Sequence, residues 1–320
     1  MKNRLDPEDA PVHEWYRFVL SYPPHLVRDY LDRFGMTSGH RVLDPFCGTG
    51  TTLVESKKRG IPSVGVEATP MAHLASKTKV NWSLNPDGLL EHAREVADRT
   101  VERLETEGTP DEPLQLFERS GREKLRELPP ETTRLLLKNS ISPLPLHKTL
   151  ALLECLEGCR DDRYYDHERV ALAMALTGPI GNLHFGPEVG VGKPKPDAAV
   201  VANWLVRIEG MARDLRIVQD LKETPSIVHH ADARDILAVL EPESIDAIIT
   251  SPPYPNEKDY SRTTRLETVL LGFMTDREDL QRIKKGLVRS NTRGVYKVDA
   301  DDELVANHAE ISRIAEEIEA

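Results

Sequence analysis

Two short stretches of this chain hold residues whose types and spacing could do chemistry. The first is Thr250-Ser251-Pro252-Pro253-Tyr254, which follows the apolar, β-branched run Ile245 to Ile249. Such a run suits a strand buried in a parallel sheet. The two prolines fix φ and carry no backbone donor, so the sheet stops there. What remains is a rigid turn with free carbonyls, a Ser hydroxyl at its start and a Tyr ring at its tip. It stands at the carboxyl end of a strand, where open α/β sheets place their ligands. The second stretch, Asp44-Pro45-Phe46-Cys47-Gly48-Thr49-Gly50-Thr51-Thr52, leads from a strand over 41–46 through a glycine loop into a helix over 53–59. Glycines at 48 and 50 permit positive φ and let a ligand approach the backbone closely. A strand over 63–66 then ends on Glu67, an acid suited to gripping ribose hydroxyls.

The glycine loop is not a phosphate loop, since the Gly-Lys-Ser/Thr ending is missing. The dinucleotide fingerprint is also incomplete, because Leu53 stands where its third glycine belongs. Taken whole, however, the string from Asp44 to Thr52 resembles the S-adenosylmethionine loop of the DNA amino-methyltransferases. The Ser-Pro-Pro-Tyr turn resembles the catalytic motif of the same family, which methylates cytosine N4 or adenine N6. The likeness runs past that core, through Asp259-Tyr260, Arg265-Leu266-Glu267 and Leu270-Leu271-Gly272-Phe273, and covers roughly residues 11–82 and 226–273. It implies a Rossmann-like α/β methyltransferase sheet that binds S-adenosyl-L-methionine. Asp44 would face the amino group of the methionine moiety. Phe46, Gly48, Thr49, Gly50 and Thr51 would wrap it, and Glu67 would hold the ribose. Asp232, just after a strand over 226–230, would receive the adenine amino group. The catalytic residues would be Ser251, Pro252, Pro253 and Tyr254, with no metal.

The implied chemistry fits these residue types. An exocyclic amine is a poor nucleophile because its lone pair is delocalised into the ring. Acceptors aimed at its N–H bonds make the nitrogen more tetrahedral, and they act best when preorganised in a dry pocket. The Ser251 hydroxyl and the Pro252 carbonyl are such acceptors. Tyr254 is suited to stacking on a base rotated out of the duplex. Ser rather than Asp at position 251 leans toward cytosine N4 over adenine N6. Cys47 has no place as a nucleophile in this chemistry. Two other readings stay open: an RNA (tRNA) amino-methyltransferase, and a non-catalytic cofactor- or DNA-binding part of a split methyltransferase.

The elements that must position these motifs divide the chain in three. Residues 1–82 hold an N-terminal segment and the first half of the core. Its aromatic stretch over 11–24 is expected to pack over the sheet or line the cleft, and a helix follows with Gly35 as its stop. Residues 83–225 read as a large helical insertion between strands two and three, with long helices at 89–104, 131–158, 167–176 and 198–221. Within it, the Gly/Pro stretch 178–196 is either a connector or a loop over the cleft with Lys193 and Lys195 reaching phosphate. Residues 226–320 hold the second half of the core and a terminal helix with Ile311, Ile314 and Ile318 on one face.

Composition narrows the class. The chain has 320 residues, 39% hydrophobic and 30% charged, which is ordinary for a globular protein with a real core. No apolar run is of spanning length, and Met1 to Ala10 is polar and acidic, so neither membrane nor secretion is expected. Three cysteines make no disulfide framework, and a reducing cytoplasm is the expected compartment. A net charge of −11 is poor for bulk attraction to nucleic acid. Six basic residues and no acid between Gln281 and Val298 nevertheless offer a local strip for double-stranded DNA. Little chain follows Phe273 in which to finish the sheet. Right-handed crossovers order the strands three, two, one, four, leaving strand four an edge although its composition is that of a strand paired on both sides. The sheet is therefore expected to be incomplete, covered by the terminal helix or by a complementary C-terminal methyltransferase chain.

Overall fold

The computed structural model describes residues 5–17, 21–112, 124–185, 189–253, 259–288, 303 and 305–319. It is a mixed α/β structure whose helices are α1 (Ala10–His13), α2 (Pro24–Arg33), α3 (Thr51–Lys58), α4 (Pro70–Lys79), α5 (Pro86–Thr106), α6 (Pro130–Thr133), α7 (Pro143–Gly158), α8 (Tyr165–Ala175), α9 (Val200–Val218), α10 (Tyr260–Thr263), α11 (Arg265–Leu270), α12 (Arg277–Lys285) and α13 (Ala309–Glu319). The strands are β1 (Val42–Asp44), β2 (Ser63–Glu67), β3 (Leu183–Phe185), β4 (Val189–Val191), β5 (Ser226–His230) and β6 (Ala247–Ile248). Among the described residues no helix is long and apolar enough to cross a membrane.

The main sheet is parallel, in the order β5-β2-β1-β6, which is the order that right-handed crossovers require. Its register places Ile227, Val64, Leu43 and Ile248 in one row across the strands. On the opposite face Val42 and Ile249 pack against Val27 and Leu31 of α2. α3 lies so close to β2 that a Cβ on Gly65 would stand 2.7 Å from Leu53 and 2.8 Å from Cys47. Only glycine admits that approach.

The helical part is a body, not a scatter of connectors. α5, α7, α8 and α9 share one continuous apolar core with Leu53 and Val54 of α3 and with Met71, Leu74 and Ala75 of α4. Buried polar groups join distant segments to it. Asp111 accepts from the backbone N–H groups of Val201 and Ala202 and so caps α9 from outside the helix. Asp214 of α9 accepts from the Val12 N–H and the Trp15 indole. Tyr16 donates to Glu267 of α11. Among its described residues, Val12, Trp15 and Tyr16 of the N-terminal aromatic segment thus dock on helices, and Ser21 and Tyr22 reach the cavity described below.

Several sequence expectations need correction. The single helix expected over 131–158 is broken into α6 and α7, because Pro143 and Pro145 cannot continue a helix from the preceding turn. The 178–196 stretch contains the end of a π-turn and the antiparallel pair β3–β4, and none of its described residues lines the cavity. Lys195 is held in place, with its ammonium donating to the carbonyls of Gly178 (2.6 Å) and Gly181 (2.5 Å). β6 pairs with β1 alone among the described strands, so it is an edge despite its apolar composition. Nor does α13 cover it in the manner expected, since Ile311, Ile314 and Ile318 are all exposed.

Candidate active site

The carboxyl ends of β1, β2, β5 and β6 open onto one cavity, of about 1060 Å³ including its mouth. From the glycine loop, Phe46, Gly48, Thr49 and Thr51 line it. β2 contributes Glu67, the segment after β5 contributes Asp232, and the turn after β6 contributes Ser251, Pro252 and Pro253. Two motifs some two hundred residues apart in sequence therefore meet at one opening. Tyr254 lies outside the described residues.

Asp44 is what holds the two motifs together. It is buried beneath the cavity rather than on its wall. One carboxylate oxygen accepts from the Phe46 N–H (3.1 Å) and the Thr250 hydroxyl (2.7 Å); the other accepts from Thr52 (2.7 Å) and Tyr22 (3.1 Å). Tyr22 and Thr52 are also hydrogen-bonded to each other. One side chain thus ties the loop, the start of α3, the N-terminal segment and the residue before Ser251. Burial pushes the Asp44 carboxyl up from its ordinary value, while the hydroxyl and amide donors pull it down.

Gly50 is also off the wall. Its φ of +86° starts α3 from a left-handed residue, and a Cβ there would stand 3.1 Å from Ser76. Gly48, at φ +53°, faces open space and borders the cavity. Glu67 accepts from the Gly48 N–H (2.9 Å) on one oxygen and from the Thr69 N–H and hydroxyl on the other. Burial raises its carboxyl, against those donors. Asp232 caps the 3₁₀ turn Ala233–Ala238 and forms a two-pronged pair with Arg234. Cys47 is buried, which pushes its thiol well above the ordinary range and leaves no thiolate.

Sequence reasoning missed four contributors. Tyr22 and Thr52 belong to the Asp44 network; the aromatic density of residues 11–24 was the outward signal of Tyr22, and Thr52 closes the glycine-loop motif. Leu287 and Val288, after α12, close the cavity from the basic strip, and nothing in their type announces it. Of the strip itself, Lys284 pairs with Asp259 and Arg282 with Asp279; Arg289, Arg293 and Lys297 lie outside the described residues.

The chain is 26% identical to the Type II methyltransferase M.BsoBI of Geobacillus stearothermophilus over 96% of its own length and 62% of that relative's. The chain is a homologue of the Type II methyltransferases. It is 24% identical to M.AvaI of Nostoc sp. over 98% of its length and 63% of that protein. This homologue therefore spans under two thirds of the curated relatives it matches along its length. A shorter stretch, 15% of the chain, is 43% identical to part of a tRNA (guanine(10)-N2)-dimethyltransferase of Methanothermobacter thermautotrophicus. A separate complementary chain has no support in these relatives. No family model and no solved structure matches this chain.

Proposed function

We propose that this chain is the cofactor-binding and catalytic part of an S-adenosylmethionine-dependent DNA amino-methyltransferase, with cytosine N4 favoured over adenine N6. On this reading the four strands are the core of a Rossmann-like methyltransferase sheet, and the helices between β2 and β5 are inserted into it. The observation that carries the reading is the Asp44 network, which sets the glycine loop and the Ser251-Pro252-Pro253 turn on one cavity.

The cavity suits the proposed cofactor. Glu67 and Asp232 supply acceptors for ribose and adenine N–H or O–H groups at one side, and Gly48 leaves room for backbone approach. When bound, the cofactor supplies an electrophilic methyl group on a sulfonium. The chain's residues do the rest. The Pro252 carbonyl and the Ser251 hydroxyl accept from the target amine and hold its lone pair toward the methyl, and the prolines keep the turn rigid. Thr250, pinned to Asp44, fixes where that turn begins. Tyr254 stacks on the extruded base.

The test is transfer of a labelled methyl group to duplex DNA, followed by digestion to nucleosides. N4-methylcytosine is expected. Label in N6-methyladenine would correct the base, and label in transfer RNA with none in DNA would overturn the DNA assignment.

A further inference from the structure

Behind the main cavity lies a narrow recess that shares Ser21, Tyr22, Thr49 and Thr51 with it. Its remaining wall includes His13, Arg17 and Lys79, and among the described residues it includes no acidic one. Lys79, the last residue of α4, is only 2% exposed, yet it borders the recess. Among the described residues neither the Lys79 ammonium nor the Arg17 guanidinium is paired with a carboxylate. The buried Glu55 is already taken by His13 (2.7 Å), Arg28 (2.8 Å) and Lys58 (3.5 Å).

A buried ammonium without a counter-ion is costly, because the charge has left water with nothing in exchange. Burial, then the charges of Arg17 and Lys58, push the Lys79 ammonium down to about 7. A fold that keeps such a group beside an opening has its partner arrive from outside. The main cavity is acidic on the Glu67 and Asp232 side, and the recess is basic. A ligand spanning both should offer hydroxyl and amine donors at one end and an anion at the other.

We propose that Lys79, with Arg17, neutralises the carboxylate of the cofactor's amino-acid end in this recess, with the hydroxyls of Thr49 and Thr51 beside it. The inference rests on the cofactor reading above and deepens it. It makes Lys79 a positioning residue, since it grips the cofactor far from the reacting methyl and sets how deep the nucleoside sits.

The test compares two ligands by calorimetry on the full chain: S-adenosylhomocysteine, which has the carboxylate, and 5′-methylthioadenosine, which lacks the whole amino-acid end and with it the carboxylate. Decarboxylated S-adenosylmethionine serves as a third, closer control. In Lys79→Met the stem keeps its volume and the buried charge is gone, so the variant should fold at least as well. We expect the wild type to prefer S-adenosylhomocysteine, the one carboxylate ligand of the three, and Lys79→Met to lose about tenfold of that preference, the size of one charge-assisted bond. Affinity for the decarboxylated ligand should be unchanged, and Arg17→Gln should reproduce the loss in part. Equal preference in wild type and Lys79→Met would overturn the inference while leaving the cofactor reading intact. A wild type that binds none of the three would overturn both.

Discussion

The helical body and the outer sheet are built from similar residues and treat them differently. In the body, Trp82, Trp204, Leu89 and Leu152 are sealed into one core, and even charged side chains are buried with partners, as Lys148 is with Asp197. Across the sheet, one row changes character within four strands: Val64 is fully buried and Leu43 nearly so, whereas Ile227 is 46% and Ile248 59% exposed. The central strands behave like core and the flanking ones like surface. The Ser251 turn therefore hangs from the most weakly held strand, and Asp44 on the neighbouring strand compensates through Thr250. Precision at the candidate site comes from a polar network, not from sheet pairing.

The most damaging way to break this contrast is Asp44→Ala. Four donors on four segments would lose their acceptor, and each buried unpaired group costs about 1–3 kcal/mol. The structure could relax around some of them, so a loss near 3 kcal/mol in unfolding free energy is expected, read by urea titration, together with loss of nucleoside binding. Asp44→Asn should lie between, since its amide oxygen still accepts. A variant at Asp44 that keeps wild-type stability would show that the network does not carry the turn.

Almost as large is an effect of pH in the joint between the N-terminal segment and the body. Burial raises Glu267 from an ordinary 4.5 to about 7, against the Tyr16 hydrogen bond. Its other oxygen is buried without a partner among the described residues. The folded state thus binds a proton that the unfolded chain has released, so this group's stabilisation is full below pH 4.5 and is lost as pH rises toward 7. The whole span is worth roughly 3 kcal/mol. Glu267→Gln, which cannot ionise and still accepts from Tyr16, should remove that slope and be the more stable protein at pH 8. His13, pushed down to about 4 by burial, gives a slope of opposite sign and is common to both proteins, so the difference between them isolates Glu267. Parallel pH profiles would refute the assignment.

Much of the fold was legible in the sequence because strands one to three carry apolar runs closed by glycine or acidic residues, and handed crossovers then fix the strand order. α5 and α9 were legible for the same reason, each with an unbroken helical period. Asp44, Glu67, Asp232 and Ser251 stand in short motifs, so their closeness was readable. The direction of the Asp44 side chain was not, because it depends on donors at positions 22, 52 and 250 that only folding brings together. The β3–β4 pair was hidden by Gly and Pro, whose signal is the same for a loop and for the flanks of a short antiparallel pair. Lys195 shows the limit of reading charge from sequence, since a cation in a Gly/Pro loop served carbonyls of its own chain. Lys195→Met should leave Gly178 and Gly181 without their donor, costing about 1 kcal/mol. Hydrogen exchange should quicken around 178–196 and nowhere else, and unchanged exchange there would mean the lysine is incidental.

The smallest effect belongs to the sheet's edge. Ile248 is exposed on a strand paired on one side only among the described residues, so Ile248→Lys removes little packing and should shift stability by no more than about 0.5 kcal/mol. Its consequence lies in association. An apolar edge invites pairing with another chain, and a lysine there is a common way of preventing it. We expect the wild-type chain to self-associate with rising concentration, and Ile248→Lys to hold a lower mass at the same concentration in sedimentation. Lysine at Leu43, in the same row but on the neighbouring strand, should instead destabilise the fold by several kcal/mol, because a buried charge there has no partner. If both lysines proved equally mild, the centre of the sheet would be as open as its edge, and the contrast between the two would fail. If Ile248→Lys were as damaging as the substitution at Leu43, the edge would already be covered in solution by a second copy of the chain.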